Sequence, residues 1–235
     1  GSLYNPDELG SGGGGYSYSH GGNGGGLVRV TAGEVTLDGN ILAKGGDGDA
    51  ENANGGGSGG GIYIKTGILS GNGTIAANGG KNSTAFYATT GGGGGRIAIY
   101  YDDMSEFDTA NITTYGGVGE EANGGAGTIY LKSSAQQYGD LIVDNNNIVT
   151  SGYSTLLPSV GTGTSTGLTL NALSDDAGSW RADDFVGIYL NPNANQLNVP
   201  PIVFSILAND STSITVDNTR NNLTDIASTG DTYGG

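Results

Sequence analysis

Gly91-Gly92-Gly93-Gly94-Gly95-Arg96-Ile97-Ala98-Ile99-Tyr100-Tyr101 decides the fold, because a glycine run passes directly into an apolar, β-branched stretch. The same transition occurs at Gly24-Gly25-Gly26-Leu27-Val28-Arg29-Val30, at Gly59-Gly60-Gly61-Ile62-Tyr63-Ile64 and at Gly124-Gly125-Ala126-Gly127-Thr128-Ile129-Tyr130-Leu131. Counted from Leu27, Ile62, Ile97 and Ile129, the steps are 35, 35 and 32 residues. A second apolar segment trails each: Ile41-Leu42-Ala43, Ile75-Ala76-Ala77, Ile112-Thr113-Thr114 and Leu141-Ile142-Val143. A fixed period of this size marks a solenoid, in which a repeat buries its apolar face only against its neighbours.

Within a repeat the pattern is that of short strands. Val28 and Val30 share one side of a pleat while Leu27 and Arg29 face the other. Turns at Ala32-Gly33 and Asp38-Gly39-Asn40 separate Val35 and Leu37 from their flanks, and Gly71-Asn72-Gly73 does the same in the next repeat. Helical periodicity is absent. The expectation is an all-β chain whose first part is a parallel β-helix. The glycine tracts exceed what such a coil needs. They are expected to project from one edge as extended excursions that lie side by side and hydrogen-bond laterally, glycine being required where chains crowd.

Glycine is unevenly distributed: 38 of the 48 glycines fall in residues 1–130. Two domains follow, a glycine-rich β-helical repeat domain at 1–150 and a small β domain at 151–235. The second reads as an antiparallel barrel or sandwich from Leu168-Thr169-Leu170, Phe185–Leu190, Ile202–Leu207 and Ile214-Thr215-Val216, with Trp180 as its core aromatic. The only methionine is Met104, so the chain is expected to be a processed or excised piece, with any signal peptide absent.

The formal net charge is −15, from 23 acidic and 8 basic residues. Without clustered Lys and Arg to displace counterions, nucleic acid is excluded as a partner, and so is an anionic membrane surface. No apolar run is long enough to span a bilayer. There is no cysteine, which excludes disulfides and thiolate metal sites.

Candidate chemistry is sparse. A phosphate loop needs Gly-Lys-Ser/Thr at the end of a glycine run and a following helix, and no run here ends so. Because β-helices include polysaccharide lyases and hydrolases, a carbohydrate-active enzyme is an alternative. The acidic cluster of Asp102, Asp103, Glu106 and Asp108 nevertheless has no matched partner across a cleft, and His20 is the sole histidine. Calcium is the better ionic reading. Asp47, Asp49 and Glu51 space carboxylates at alternate positions beside glycine, and Asp102 and Asp103 form the other candidate; the rest of an EF-hand loop is missing. Tyr16, Tyr18, Tyr87, Tyr100 and Tyr101, near the glycine tracts, could stack on sugars or cover glycine backbone. A glycan-binding adhesin is therefore a further alternative.

The glycine blocks quoted above, the Gly91–Gly95 run with its Arg96-Ile97 ending above all, resemble glycine-rich β-helical repeat modules of very large bacterial surface and secreted proteins. Phe185-Val186-Gly187-Ile188-Tyr189-Leu190 with Gly230-Asp231-Thr232-Tyr233 resembles a small β module that accompanies them. The resemblance implies an extracellular, structural or adhesive role at the cell surface and supplies no catalytic residue. With residues 1–26 reading as an incomplete repeat and no capping helix at either end, the expectation is a non-enzymatic structural protein. It would polymerise with itself head to tail into a filament or surface layer by strand addition.

Overall fold

The computed structural model describes all residues except 1, 16–17, 50–53, 83–89, 137–138, 151–154 and 156–158. The chain is all-β, as the strand pattern predicts, and divides into two compact units, Leu3–Leu156 and Leu157–Gly235. In the first unit the strands are β1 (Leu27–Thr36), β2 (Asn40–Leu42), β3 (Gly61–Ser70), β4 (Thr74–Ala76), β5 (Arg96–Tyr101), β6 (Ile112–Thr113), β7 (Thr128–Ser133) and β8 (Asp140–Ile142).

One sheet runs in the order β1-β3-β5-β7-β8 and a second in the order β2-β4-β6. The first is mixed: β1, β3, β5 and β7 are parallel, whereas β8 turns back antiparallel onto β7. Parallel pairing places like positions of successive repeats in register. Val28, Ile62, Ile97 and Ile129 form one row, and Val30, Ile64, Ile99 and Leu131 the next. With Ile41, Ile75 and Ile112 of the second sheet they enclose a single core. Ile62, Ile64, Ile75, Ile97 and Ile99 are fully buried, each contributing about 1.5–3 kcal/mol by leaving water.

Three details depart from the sequence reading. The partner of Ile62 is Val28, not Leu27, so the first step is 34 residues rather than 35; Leu27 faces outward. No turn interrupts the strand at Ala32-Gly33. β1 and β3 continue through it for ten residues each, and the ladder skips only Gly33 opposite Gly67. At that skip the inward side changes parity, so Ile62, Ile64 and Thr66 point in before it and Leu69 after it, leaving Ile68 45% exposed. Thr66 Oγ1 donates to the Ile68 carbonyl at 2.8 Å, which satisfies a hydroxyl buried at the bend. Finally, Leu141 and Ile142 do not extend the second sheet. They lie in β8, which turns back antiparallel onto β7 so that Ile142 pairs with Ile129 and Leu141 with Tyr130.

The glycine tracts are ordered by a different rule. Gly22 N–H donates to Gly55 O and Gly25 N–H to Ser58 O; Gly56 donates to Thr90 O and Gly59 to Gly93 O; Gly91 donates to Ala122 O and Gly94 to Gly125 O. In other neighbours the sense is antiparallel, Gly92 donating to Gly80 O and Gly95 to Ala77 O. Donors and acceptors both step by three residues, in the same direction in the parallel pairs and in opposite directions in the antiparallel ones. That is the signature of extended three-fold helices, which have no internal hydrogen bonds and bond only sideways. Such a bundle excludes side chains: a Cβ on Gly22, Gly92 or Gly95 would lie 1.9–2.1 Å from the carbonyl oxygen of Gly46, Gly57 or Gly60. These glycines serve close approach, since none of them has a positive φ.

The end of the first unit is closed by its own chain. Asn145 accepts from Gly116 N–H at 2.7 Å and donates to Gly124 O at 3.1 Å, and Thr155 Oγ1 donates to Ala126 O at 2.7 Å.

The second unit contains β9 (Thr162–Thr164), β10 (Gly167–Leu168), β11 (Ala172–Ser174), β12 (Tyr189–Leu190), β13 (Phe204–Asn209), β14 (Ser213–Val216) and β15 (Thr232–Gly234). β10-β11-β14-β13-β12 form an antiparallel sheet, and β15 pairs antiparallel with β9. Its core holds Leu173, Leu190, Ile206, Ile214, Leu223 and Tyr233. Trp180 is half-buried at its margin, edge-on to Phe185 at 5.6 Å and to Tyr233 at 6.2 Å.

Candidate functional site

The outward face of the first sheet concentrates the chain's few cations and several of its tyrosines. Because like positions stack, Arg29, Tyr63, Ala98 and Tyr130 form one row, and Thr31, Lys65, Tyr100 and Lys132 the next. Arg96 projects from the same face beside buried Ile97. Four of the eight basic residues of an acidic chain thus share one surface, and no carboxylate belongs to these rows.

Residues 3–8 cross part of this face. Leu3 is buried against Ala98 and Tyr130, and Tyr4 meets Tyr130 edge-on at 4.7 Å. Tyr100 donates its hydroxyl to the Tyr4 carbonyl at 2.9 Å. Arg29 donates to Pro6 O at 3.0 Å and to Asn5 Oδ1 at 2.9 Å, with its guanidinium 4.2 Å from the centre of the Tyr63 ring. The first residues therefore clamp their own unit.

Beyond this clamp a groove of about 340 Å³ follows the bend at Gly67. Lys65 and Lys132 stand on either side of Tyr100, and Thr31, Tyr101, Asp102 and Ser133 are among the other residues that line the groove. With strands about 4.8 Å apart, the two lysine Cα atoms are separated by roughly 10 Å. That spacing suits successive charges of an extended anionic polymer.

Burial, then the charge of neighbouring phenols, holds the Tyr100 hydroxyl well above its usual range. Tyr4 and Tyr130 are raised chiefly by burial. In the second unit Tyr233 is raised by burial and by its bond to the Asp175 carboxylate at 2.7 Å. A phenol whose folded-state pKa exceeds the unfolded value of about 10 contributes stability below that pH and loses it as pH rises through the folded value. Phenolate absorbance followed during base titration is expected to show these tyrosines ionising late, together with loss of β circular dichroism. Ionisation of every tyrosine near pH 10 with the fold intact would refute this packing.

Of the acidic candidates for calcium, Asp47, Asp49 and Asp103 accept hydrogen bonds from backbone amides. Asp47 Oδ1 accepts from Lys81 N–H at 2.7 Å, on the stacked repeat. Asp49 Oδ2 accepts from His20 N–H at 3.1 Å and lies 3.6 Å from His20 Nδ1. Glu51 lies outside the described residues, as do Tyr16 and Tyr87. Asp102 and Asp103 both donate their N–H to Gly67 O. Asp103 Oδ1 accepts from Ser105 N–H at 2.9 Å, a bond that holds its carboxyl below the ordinary range. Asp108 accepts from Ala110 N–H, and Glu106 lends its carbonyl to Gly71 N–H. Among the described residues no three acidic or histidine side chains gather around one point. Asp47, Asp49, Asp103 and Asp108 thus each direct a carboxylate oxygen at a backbone amide. The expected result is a melting temperature of the first unit that is the same in calcium and in chelator; stabilisation by calcium would restore a metal role for these residues.

The lysine–tyrosine face had no one-dimensional signature, because Lys65, Tyr100 and Lys132 are separated in sequence and meet only through the register. Tyr18, by contrast, is fully exposed. No helix among the described residues is long and apolar enough to cross a membrane. Compared with family models, curated proteins and solved structures, the chain matches none.

Proposed function

We propose that the protein is a non-enzymatic, extracellular structural module, its first unit a parallel β-helix of the kind its glycine blocks resemble and its second a small β-barrel-like domain. The observation that carries this is the glycine bundle. Repeat after repeat commits its glycines to lateral contact between backbones, and turn carboxylates serve backbone amides, Asp38 and Asp47 those of the next repeat and Asp103 and Asp108 those of their own loop. Such use of sequence favours a stiff support for display at a bacterial surface over a reaction centre.

The test is turnover. Incubation with neutral and acidic polysaccharides is expected to release no reducing ends and no unsaturated products; formation of either would overturn the proposal and favour a carbohydrate-active enzyme. A second reading, glycan adhesion, is favoured by the groove between Lys65 and Lys132. It expects retention on a carboxylated or sulfated glycan array that is lost in the K65A/K132A variant; an array without signal would dismiss it.

A further inference from the structure

The two ends of the first unit differ. At one end β8 covers β7, and Asn145 and Thr155 close the glycine tracts. At the other, the outer edge of β1 has no strand partner among the described residues. The identity of the open groups follows from the ladder. Gly26 O accepts from Gly61 N–H and Leu37 N–H donates to Ser70 O. Alternate residues of a parallel strand send both backbone groups to the same neighbour. Counting in from each end, and shifting by one at Gly33, the amides and carbonyls of Leu27, Arg29, Thr31, Glu34 and Thr36 face away from β3. All of these residues are exposed. Val28, Val30 and Val35, whose equivalents Ile62, Ile64 and Leu69 in the next repeat are fully buried, are only partly buried on this edge, as is Leu37.

We propose that this edge is an interface between two copies of the chain, which join open end to open end about a two-fold axis, β1 pairing antiparallel with its counterpart. The proposal refines the structural reading above by naming the assembly. Head-to-tail growth would set the ten-residue β1 against the three-residue β8, whereas the two-fold arrangement sets ten residues against ten. An isologous contact of this kind closes at two subunits.

The register follows from the bend and from the change of parity at Gly33. An axis beside the bend lets the segment before it in one copy lie along the segment after it in the other. Thr31 then stands opposite the second copy's Glu34, and Arg29 opposite its Thr36. Val30 then meets Val35 and Val28 meets Leu37. Every outward-facing residue meets an outward-facing one, and every core valine meets an apolar partner. Arg29 and Glu34 of opposite copies become diagonal neighbours, within reach of long side chains. A one-residue slip would set core against solvent along the whole edge.

Three measurements decide the matter. Sedimentation of the intact chain is expected to give a dimer at micromolar concentration. Thr31→Pro removes an N–H that the monomer does not use, and proline is tolerated on an edge strand. That variant is expected to keep wild-type circular dichroism while the dimer dissociation constant rises by about 100-fold or more, through lost edge hydrogen bonds and the clash of the ring. The chain has no cysteine of its own, so Thr31→Cys and Glu34→Cys report the register. Mixed and oxidised, the two variants are expected to cross-link into a covalent dimer, since such a pair brings Cα atoms to about 5.5 Å; neither variant alone should do so. A monomer at high micromolar concentration, fibres, or cross-linking of Thr31→Cys with itself would each overturn the two-fold edge, while leaving the turnover test of the structural reading untouched.

Discussion

Replacing Gly92 with alanine is expected to destabilise the first unit by about 3 kcal/mol or more, since overpacking costs 1–3 kcal/mol even where side chains can yield and lateral hydrogen bonds are lost besides. For a unit of this length that corresponds to a melting-temperature drop on the order of 10 °C. The methyl group would lie 1.9 Å from Gly57 O and 2.5 Å from Gly57 C. Both atoms are backbone, and Gly57 is itself bonded to Gly46 and Gly80, so relief in one tract displaces the next. Gly14→Ala supplies the comparison: no heavy atom lies within 4 Å of its Cβ position, and a change within about 0.5 kcal/mol is expected there. Thermal melts followed by circular dichroism distinguish the two. Equal effects at both positions would mean that the glycines serve flexibility instead of contact.

The second large effect concerns the core rows. Ile99→Asp is expected to abolish cooperative folding of the first unit, because Ile99 is fully buried between Ile64 and Leu131 and no cation lies in that row to pair with a carboxylate. Burying an unpaired charge costs more than a domain of this size can sustain. Ile68→Asp, one of the residues displaced outward by the bend, is expected to cost less than about 1 kcal/mol. Trp180 is the only tryptophan and belongs to the second unit, so its fluorescence reports whether that unit remains folded while the first is lost. Wild-type stability in Ile99→Asp, or severe loss in Ile68→Asp, would show that the assigned register is wrong.

Much of this was legible in the sequence because the period is long and regular. The strand rows follow from the glycine runs that precede Val28, Ile62, Ile97 and Ile129, and the parallel pairing follows from their near-constant steps of 34, 35 and 32 residues. The lateral glycine contacts were also accessible, since nothing but glycine permits backbones to approach so closely. What escaped was local. The bend at Gly33 and Gly67 reads as a break because a parity change mimics a turn. Leu141 and Ile142 read as one more repeat because composition does not encode the reversal that places them on β7. The amide bonds of Asp47 and Asp49 were not legible either, because acceptors for turn amides and ligands for calcium draw on the same residue types. The Lys65–Tyr100–Lys132 row needed the register itself.

Amide hydrogen exchange of the glycine tracts tests the central claim most directly, namely that these segments form a packed, laterally bonded bundle. The amides of Gly22, Gly25, Gly59, Gly92, Gly94 and Gly124 are expected to exchange as slowly as those of Ile64 and Ile99, through global opening of the first unit. Exchange of these glycines at the rate of an unstructured peptide, with Ile64 and Ile99 still protected, would contradict the account.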